Sequence, residues 1–235
     1  MSNPTLPALG LNDGLLLVDK PSGPTSHDIV AKLRYHFRIP KVGHGGTLDP
    51  MATGLLVILL GKGTKISERV MGHDKTYEGT LRLGVETDSQ DADGQIIREI
   101  DSSAITADQV AEQMSLRRGD QMQTPPMVSA IKIKGVPLYK LARKGETVER
   151  QPKLIHLYRF DLLDFTPPHA RFVVECTKGT YVRTLAHDIG QSLGVGAHLS
   201  QLRRTKIGKL DVARASSLDE LVDLSSLVGK IITLA

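Results

Sequence analysis

The stretch Gly43-His44-Gly45-Gly46-Thr47-Leu48-Asp49-Pro50, followed by Ala52-Thr53-Gly54, sets a single carboxylate in a glycine-rich loop. Glycines let a substrate backbone approach closely, so an aspartate among them stands where chemistry could be done. Asp49 also reads as an ordinary turn-former, because the ring of Pro50 biases the residue before it toward an extended backbone. Residue types alone leave both readings open.

Other constellations fail on spacing. Gly43-His44-Gly45-Gly46 and Gly61-Lys62-Gly63-Thr64 look like phosphate cradles, but neither has the Gly, four residues, Gly-Lys-Ser/Thr arrangement. Asp91-Ala92-Asp93-Gly94 resembles part of a calcium loop. Its first ligand would be Ser89 and its closing position Ile100, where a bidentate glutamate is required. The eight histidines and the lone Cys176 show no His-x-x-x-His or Cys-x-x-Cys pairing, which argues against a metal site.

Around the loop the pattern predicts short alternating elements. Gly14 to Val18 is an apolar strand running into Asp19-Lys20-Pro21, and Ser26 is placed to cap a helix carrying Ile29, Leu33 and Phe37. Leu55 to Leu60 reads as a buried strand. Lys75 to Val85 alternates, with Tyr77, Gly79, Leu81, Leu83 and Val85 on one face, as a half-buried strand does. Thr106 with Gln109 forms a capping box for a helix holding Val110 and Met114 and closed by Gly119. Met127 to Ile133 reads as strand, and Pro137 and Gly145 bracket a short helix. Strands are expected at Leu154 to Phe165 and Arg171 to Cys176. Thr180 caps a helix with Val182, Leu185, Ile189 and Leu193 on one face, stopped at Gly194, with Arg183 in its first turn. Hairpin-like successions outnumber strand-helix-strand units, which favours an α+β fold on a mixed, mainly antiparallel sheet flanked by helices.

The chain has 235 residues, enough for one large domain, and one cysteine, so no disulfide framework. Its longest apolar run, Leu55 to Leu60, falls short of the roughly 20 residues a membrane span needs. No secretory signal is visible at the start, and the expectation is a cytoplasmic protein. Lys and Arg total 30 against 26 Asp and Glu, a formal charge of +4. The cations Lys132, Lys134, Lys140, Arg143, Lys144, Arg203, Arg204, Lys206 and Lys209 concentrate in the C-terminal half, making a polyanionic partner plausible against the alternative of a solvated basic face. Aromatics are only 4% and Trp is absent, so any base recognition should be local rather than serial stacking.

The Asp49 loop resembles the Gly-His-x-Gly-x-Leu-Asp-Pro-x-Ala-x-Gly signature of TruB-type tRNA pseudouridine synthases. Supporting segments follow in the same order: Leu17-Val18-Asp19-Lys20-Pro21, Lys75-Thr76-Tyr77, Thr87-Asp88 with Asp91 and Gly94, Pro125-Pro126 with Ser129-Ala130 and Lys132, Lys178 to Thr184, and Leu202-Arg203-Arg204. The likeness runs from about Gly14 to Leu218.

The resemblance implies the pseudouridine synthase fold and isomerisation of the T-loop uridine of tRNA, as in tRNA pseudouridine-55 synthases, by base flipping and without metal or organic cofactor. It implies Asp49 as nucleophile, Arg183 as its partner and Tyr77 as the ring stacked on the flipped uracil. Tyr181 and Leu202 would contact substrate, His44 would enter the space vacated in the T loop, and Lys20 would support the catalytic loop. The implied partner is the tRNA T arm, with no membrane, no obligate protein partner and a monomeric chain. Residues 1–235 read as a single catalytic domain without the additional C-terminal RNA-binding domain of many relatives. Gly45 stands where the family usually has threonine, which predicts a more flexible loop. Two rival readings remain: an RNA-binding protein that keeps the scaffold with little chemistry, and a carboxylate-based nucleoside or glycoside hydrolase, for which no second acid is evident.

Overall fold

The computed structural model describes residues 13–129, 132–133, 135–138, 141, 145–146 and 148–233. The chain divides into two compact units, residues 1–77 with 202–235, and residues 78–201.

The first unit contains β1 (Gly14–Lys20), α1 (Ser26–His36), β2 (Val42–His44), β3 (Thr53–Leu60), α2 (Ser67–Gly72) and the start of β4 (Lys75–Leu83). The second holds β5 (Val85–Thr87), β6 (Ile96–Glu99), α3 (Ala107–Ser115), β7 (Gly119–Gln123), β8 (Lys132–Ile133), β9 (Val136–Pro137), β10 (Lys153–Thr166), β11 (His169–Cys176) and α4 (Val182–Ser192). β12 (Ala197–Ile207) begins in the second unit and ends in the first, which finishes with β13 (Leu210–Asp211), α5 (Leu224–Val228) and β14 (Ile231–Thr233).

In the first unit the strand order is β14-β1-β3-β12, with β2 also on β3 and β13 on β12; in the second it is β4-β11-β10-β7. β12 runs parallel to β3, while β1 with β3 and β10 with β11 are antiparallel, so the arrangement is α+β on a mixed, mainly antiparallel sheet, as expected.

β3 is apolar without alternation because both of its faces are covered. Leu56, Ile58 and Leu60 pack with Leu16, Val18 and the α1 residues Ile29, Val30, Leu33 and Phe37. On the other face Leu55, Val57 and Leu59 pack with Leu15, Leu17, Val70 and Ile207. A strand buried on both sides reads as a continuous hydrophobic run. β4 keeps the alternation expected of it: Tyr77, Gly79, Leu81 and Leu83 are buried, and Glu78 and Arg82 exposed.

Several local expectations shift. Thr25, not Ser26, caps α1, in a capping box with Asp28. Tyr181, not Thr180, precedes α4; Thr180 Oγ1 instead donates to Thr177 O. The Thr106–Gln109 capping box is present, but α3 ends at Ser115, and Gly119 opens β7 at φ 90°. Among the described residues of the Met127 to Ile133 stretch, Lys132–Ile133 is strand and 127–129 is not. Pro137 lies in β9, and most of the bracketed helix to Gly145 falls outside the described residues. None of the described helices is long and apolar enough to cross a membrane.

Candidate active site

The Asp49 loop is held by buried donors on its own backbone. Asp49 is half-buried and its carbonyl accepts from Ala52 N at 3.1 Å, closing a turn around Pro50. Ser26, freed from capping α1, turns its hydroxyl to the peptide before Asp49. Its Oγ accepts from Leu48 N at 2.8 Å and donates to Leu48 O at 3.1 Å. This ties the start of α1 to the loop.

Two buried cations complete the hold. Lys20, at the end of β1 and 0% exposed, donates through Nζ to the carbonyls of Pro21 (2.9 Å), Pro50 (3.1 Å) and Ala52 (2.8 Å). Arg204, on β12 and 1% exposed, donates from Nε to Leu55 O (2.8 Å), from Nη1 to Thr47 O (3.2 Å) and from Nη2 to Gly46 O (3.0 Å). Loop carbonyls on both sides of Asp49 are therefore satisfied by side chains that cannot move into solvent. Gly54 sits at φ 98°, and a Cβ there would lie 2.3 Å from Arg204 O, so only glycine lets β3 and β12 meet at this point.

This hold has an electrostatic cost. Burial pushes the Lys20 ammonium down to about 8; the Asp49 charge draws it back up and Arg204 lowers it further. His44, at the end of β2, is half-buried, and burial first, then Arg204 and His27, lowers its pKa. Its ring is accordingly neutral at pH 7. His44 Nδ1 is buried with no hydrogen-bond partner among the described residues. Tyr77 and Leu202, each 9% exposed, lie on the buried faces of β4 and β12 in the same unit.

In the second unit Arg183, in the first turn of α4 and 4% exposed, is held by acceptors on two segments of that unit. Nη1 meets Asp91 Oδ2 at 2.9 Å and Ser89 O at 3.3 Å, and Nη2 meets Val128 O at 2.8 Å. Asp91 is 4% exposed and also accepts from Ser89 Oγ and from Asp93 N. Tyr181 is locked through its backbone, its N donating to Gln123 Oε1 at 2.8 Å and its O accepting from Gln123 Nε2 at 3.0 Å.

Asp49 thus stands on a loop whose backbone is held by buried donors of its own unit, and Arg183 is oriented by Asp91, Ser89 and Val128 of its own. Residues 34–182 match the model of the TruB family pseudouridylate synthase N-terminal domain, and residues 183–230 match that of the tRNA pseudouridylate synthase B C-terminal domain. The chain belongs to the TruB family. It is similar to tRNA pseudouridine synthase B of Opitutus terrae, 54% identical over 209 residues that make up 89% of this chain and 87% of the relative. Its likeness to the namesake of Syntrophotalea carbinolica is 49% over 89% of this chain and 68% of that one. Among solved structures, a chain in the crystal structure of a Cbf5-Nop10-Gar1 complex superposes with a TM-score of 0.74 at 28% identity. That match covers 94% of this chain and 60% of the other, so this chain spans less than two thirds of its length.

Within the TruB framework, His44, Asp49, Lys20, Tyr77 and Leu202 lie in one unit and Arg183 and Tyr181 in the other. Arg183 is buried and not a surface helix residue. Its pairing with Asp91 was not read from the sequence, where Asp91 figured only in a rejected calcium loop and in the family likeness. Of the cations assigned to a basic surface, Arg204 is buried and Arg203, partly exposed, is taken up by an ion pair. Arg204 is consumed by the loop, and Arg203 forms a bidentate pair with Asp19 (2.9 and 2.7 Å). Lys206 lies 3.7 Å from Asp211. The side chains of Lys132, Lys134, Lys140, Arg143 and Lys144 fall outside the described residues. Gly45 does not read as a loosened link: it is buried, its N–H donates to Val57 O at 2.8 Å, and a Cβ on it would come within 2.4 Å of Val70 Cγ1.

Proposed function

We propose that this chain isomerises the T-loop uridine of tRNA at position 55 to pseudouridine, with Asp49 as nucleophile. The observation that carries this is the Asp49 loop, whose carbonyls are pinned by Lys20 and Arg204. A nucleophile must be presented at a fixed point, and a backbone with no slack does that. The likeness to tRNA pseudouridine synthase B supports the substrate.

In this reading the target uridine leaves the T-loop stack and His44, neutral and planar, fills the space it vacates. Tyr77 offers a face to the flipped uracil, and Tyr181 and Leu202 line its pocket. Asp49 attacks the uracil ring or the ribose anomeric carbon. The bond from N1 to C1′ breaks, the base turns and the bond from C5 to C1′ forms; the bond to Asp49 breaks to return its carboxylate, N1 takes up a proton and the C5 proton leaves to solvent. Arg183 keeps the Asp49 carboxylate ionised and oriented once water is excluded. The enzyme works as a monomer in the cytoplasm on the tRNA T arm, without a cofactor.

The test is mapping. An unmodified tRNA transcript incubated with the protein, treated with carbodiimide and reverse-transcribed, is expected to give one new stop at the T-loop uridine. A stop elsewhere, or free uracil in the supernatant, overturns the reading, the latter in favour of a hydrolase.

A further inference from the structure

The cations assigned from the sequence to an RNA surface proved in part to be internal, and a different segment carries free ones. Residues 29–48 hold Lys32, Arg34, Arg38 and Lys41 and no Asp or Glu. All four are exposed, and among the described residues none forms an ion pair.

The same segment carries an aromatic side chain in water. Tyr35 is 89% exposed, although Leu33 and Phe37 on either side of it are buried in the core. Beside it lies a groove of about 890 Å³ lined by Arg34, Tyr35, His36, Arg38 and Pro40. The α1 macrodipole accounts for basic side chains in the last turn, Arg34 and His36. It does not account for Tyr35, nor for Arg38, which follows the helix at φ 51°, a conformation that glycine takes without strain. Buried Phe37 and Ile39 fix the backbone on both sides of Arg38, and His36 Nε2 lies 3.0 Å from Val222 O. The groove is thus built on anchored backbone, not on a loose tail.

Cations around a flat exposed ring match an unpaired nucleic-acid strand, with phosphates on guanidinium groups and a base stacked on the aromatic. A protein partner would need an acidic face, and a duplex would offer Tyr35 no unstacked base. The groove is also displaced from the chemistry: Tyr35 is nine residues along α1 from Ser26, which grips Leu48, or about 14 Å of helix. We propose that this groove binds an unpaired segment of the substrate tRNA outside the T arm, with Arg34 and Arg38 on phosphates and Tyr35 stacked on a base. The inference rests on the reading of tRNA as substrate.

The experiment compares two RNAs, a full-length unmodified tRNA transcript and the excised T-arm hairpin, titrated at several salt concentrations with the parent, Tyr35→Ala and the double variant Arg34→Gln/Arg38→Gln. Tyr35→Ala is expected to weaken full-length binding about tenfold and leave the hairpin unchanged. The double variant should reduce the slope of log affinity against log salt by about 1.4 on the full-length RNA only, the release of counterions from two single-strand phosphates. Unchanged full-length binding overturns the proposal, as does an equal loss on both RNAs, which would put the T arm itself in the groove. Pseudouridine measured in the same samples separates the two readings. Tyr35-dependent binding without product keeps the groove and sinks the proposed reaction; product without Tyr35 dependence sinks the groove alone.

Discussion

Arg183 Nη1 and Asp91 Oδ2 meet at 2.9 Å with both side chains about 5% exposed, so the arginine's orientation is set before any substrate arrives. Replacing Arg183 by Met strands the Asp91 carboxylate in the interior, where among the described residues Ser89 and the Asp93 amide are left to offset it. Breaking a buried pair by removing one partner costs about 3 kcal/mol or more, whereas an exposed helix arginine would cost under about 0.5. Urea unfolding of Arg183→Met measures the difference, and turnover should vanish with it.

Arg204 acts on the reaction through the loop rather than by touching substrate. A lysine in its place keeps the charge but cannot reach the carbonyls of Gly46, Thr47 and Leu55 together. Arg204→Lys should lower the single-turnover rate roughly 10- to 100-fold, the penalty of a small misplacement of the nucleophile. RNA affinity should stay within about twofold. A matching loss of affinity and rate would mean that Arg204 binds RNA directly.

Much of this arrangement was readable in advance, and its gaps have physical causes. The unbroken apolar run of β3, the Thr106–Gln109 capping box and the alternation of β4 each follow from one local rule, and the structure keeps all three. Arg203 and Arg204 show the limit. Adjacent strand residues face opposite ways, so one meets Asp19 while the other shares the buried face of Leu202. The signal was present in the two-residue spacing from Leu202 to Arg204, but charge outweighed it. Nothing local marks where a buried cation finds its carbonyls, because those acceptors lie about 150 residues away in a loop whose left-handed glycine at position 54 only the fold explains. Ser26 likewise looked like a cap; Thr25 takes that role and leaves Ser26 for Leu48.

Lys20 gives a signed pH effect. Its pKa of about 8 in the fold lies below the 10.5 of a free lysine, so between those values the unfolded chain binds more protons than the native one. Stability from this group therefore rises with pH across that window, and the penalty of burying the charge is fully present below pH 8. Comparing urea unfolding of the parent and Lys20→Met at pH 7 and pH 10 should show the parent gaining about 2 kcal/mol relative to the variant. A constant difference would show that Lys20 stays charged throughout.

Gly45 and Val70 form a matched pair. A methyl at position 45 would meet Val70 Cγ1 at 2.4 Å, and a β-branched neighbour has little rotamer freedom to give way. Gly45→Ala should destabilise by about 1–3 kcal/mol. The double variant with Val70→Ala should recover most of that loss, measured as coupling in a double-mutant cycle. Additive losses would mean that the two positions do not share this space.

The central claim is that Asp49, on its clamped loop, is the nucleophile of a uridine isomerisation. The direct measurement is tritium release from an unmodified tRNA transcript labelled at uridine C5, comparing the parent with Asp49→Asn while RNA binding is followed in parallel. The account predicts release of about one label per tRNA by the parent, and none by Asp49→Asn despite undiminished binding. Release by Asp49→Asn at the parental rate, or tight binding by the parent with no release at all, would contradict it.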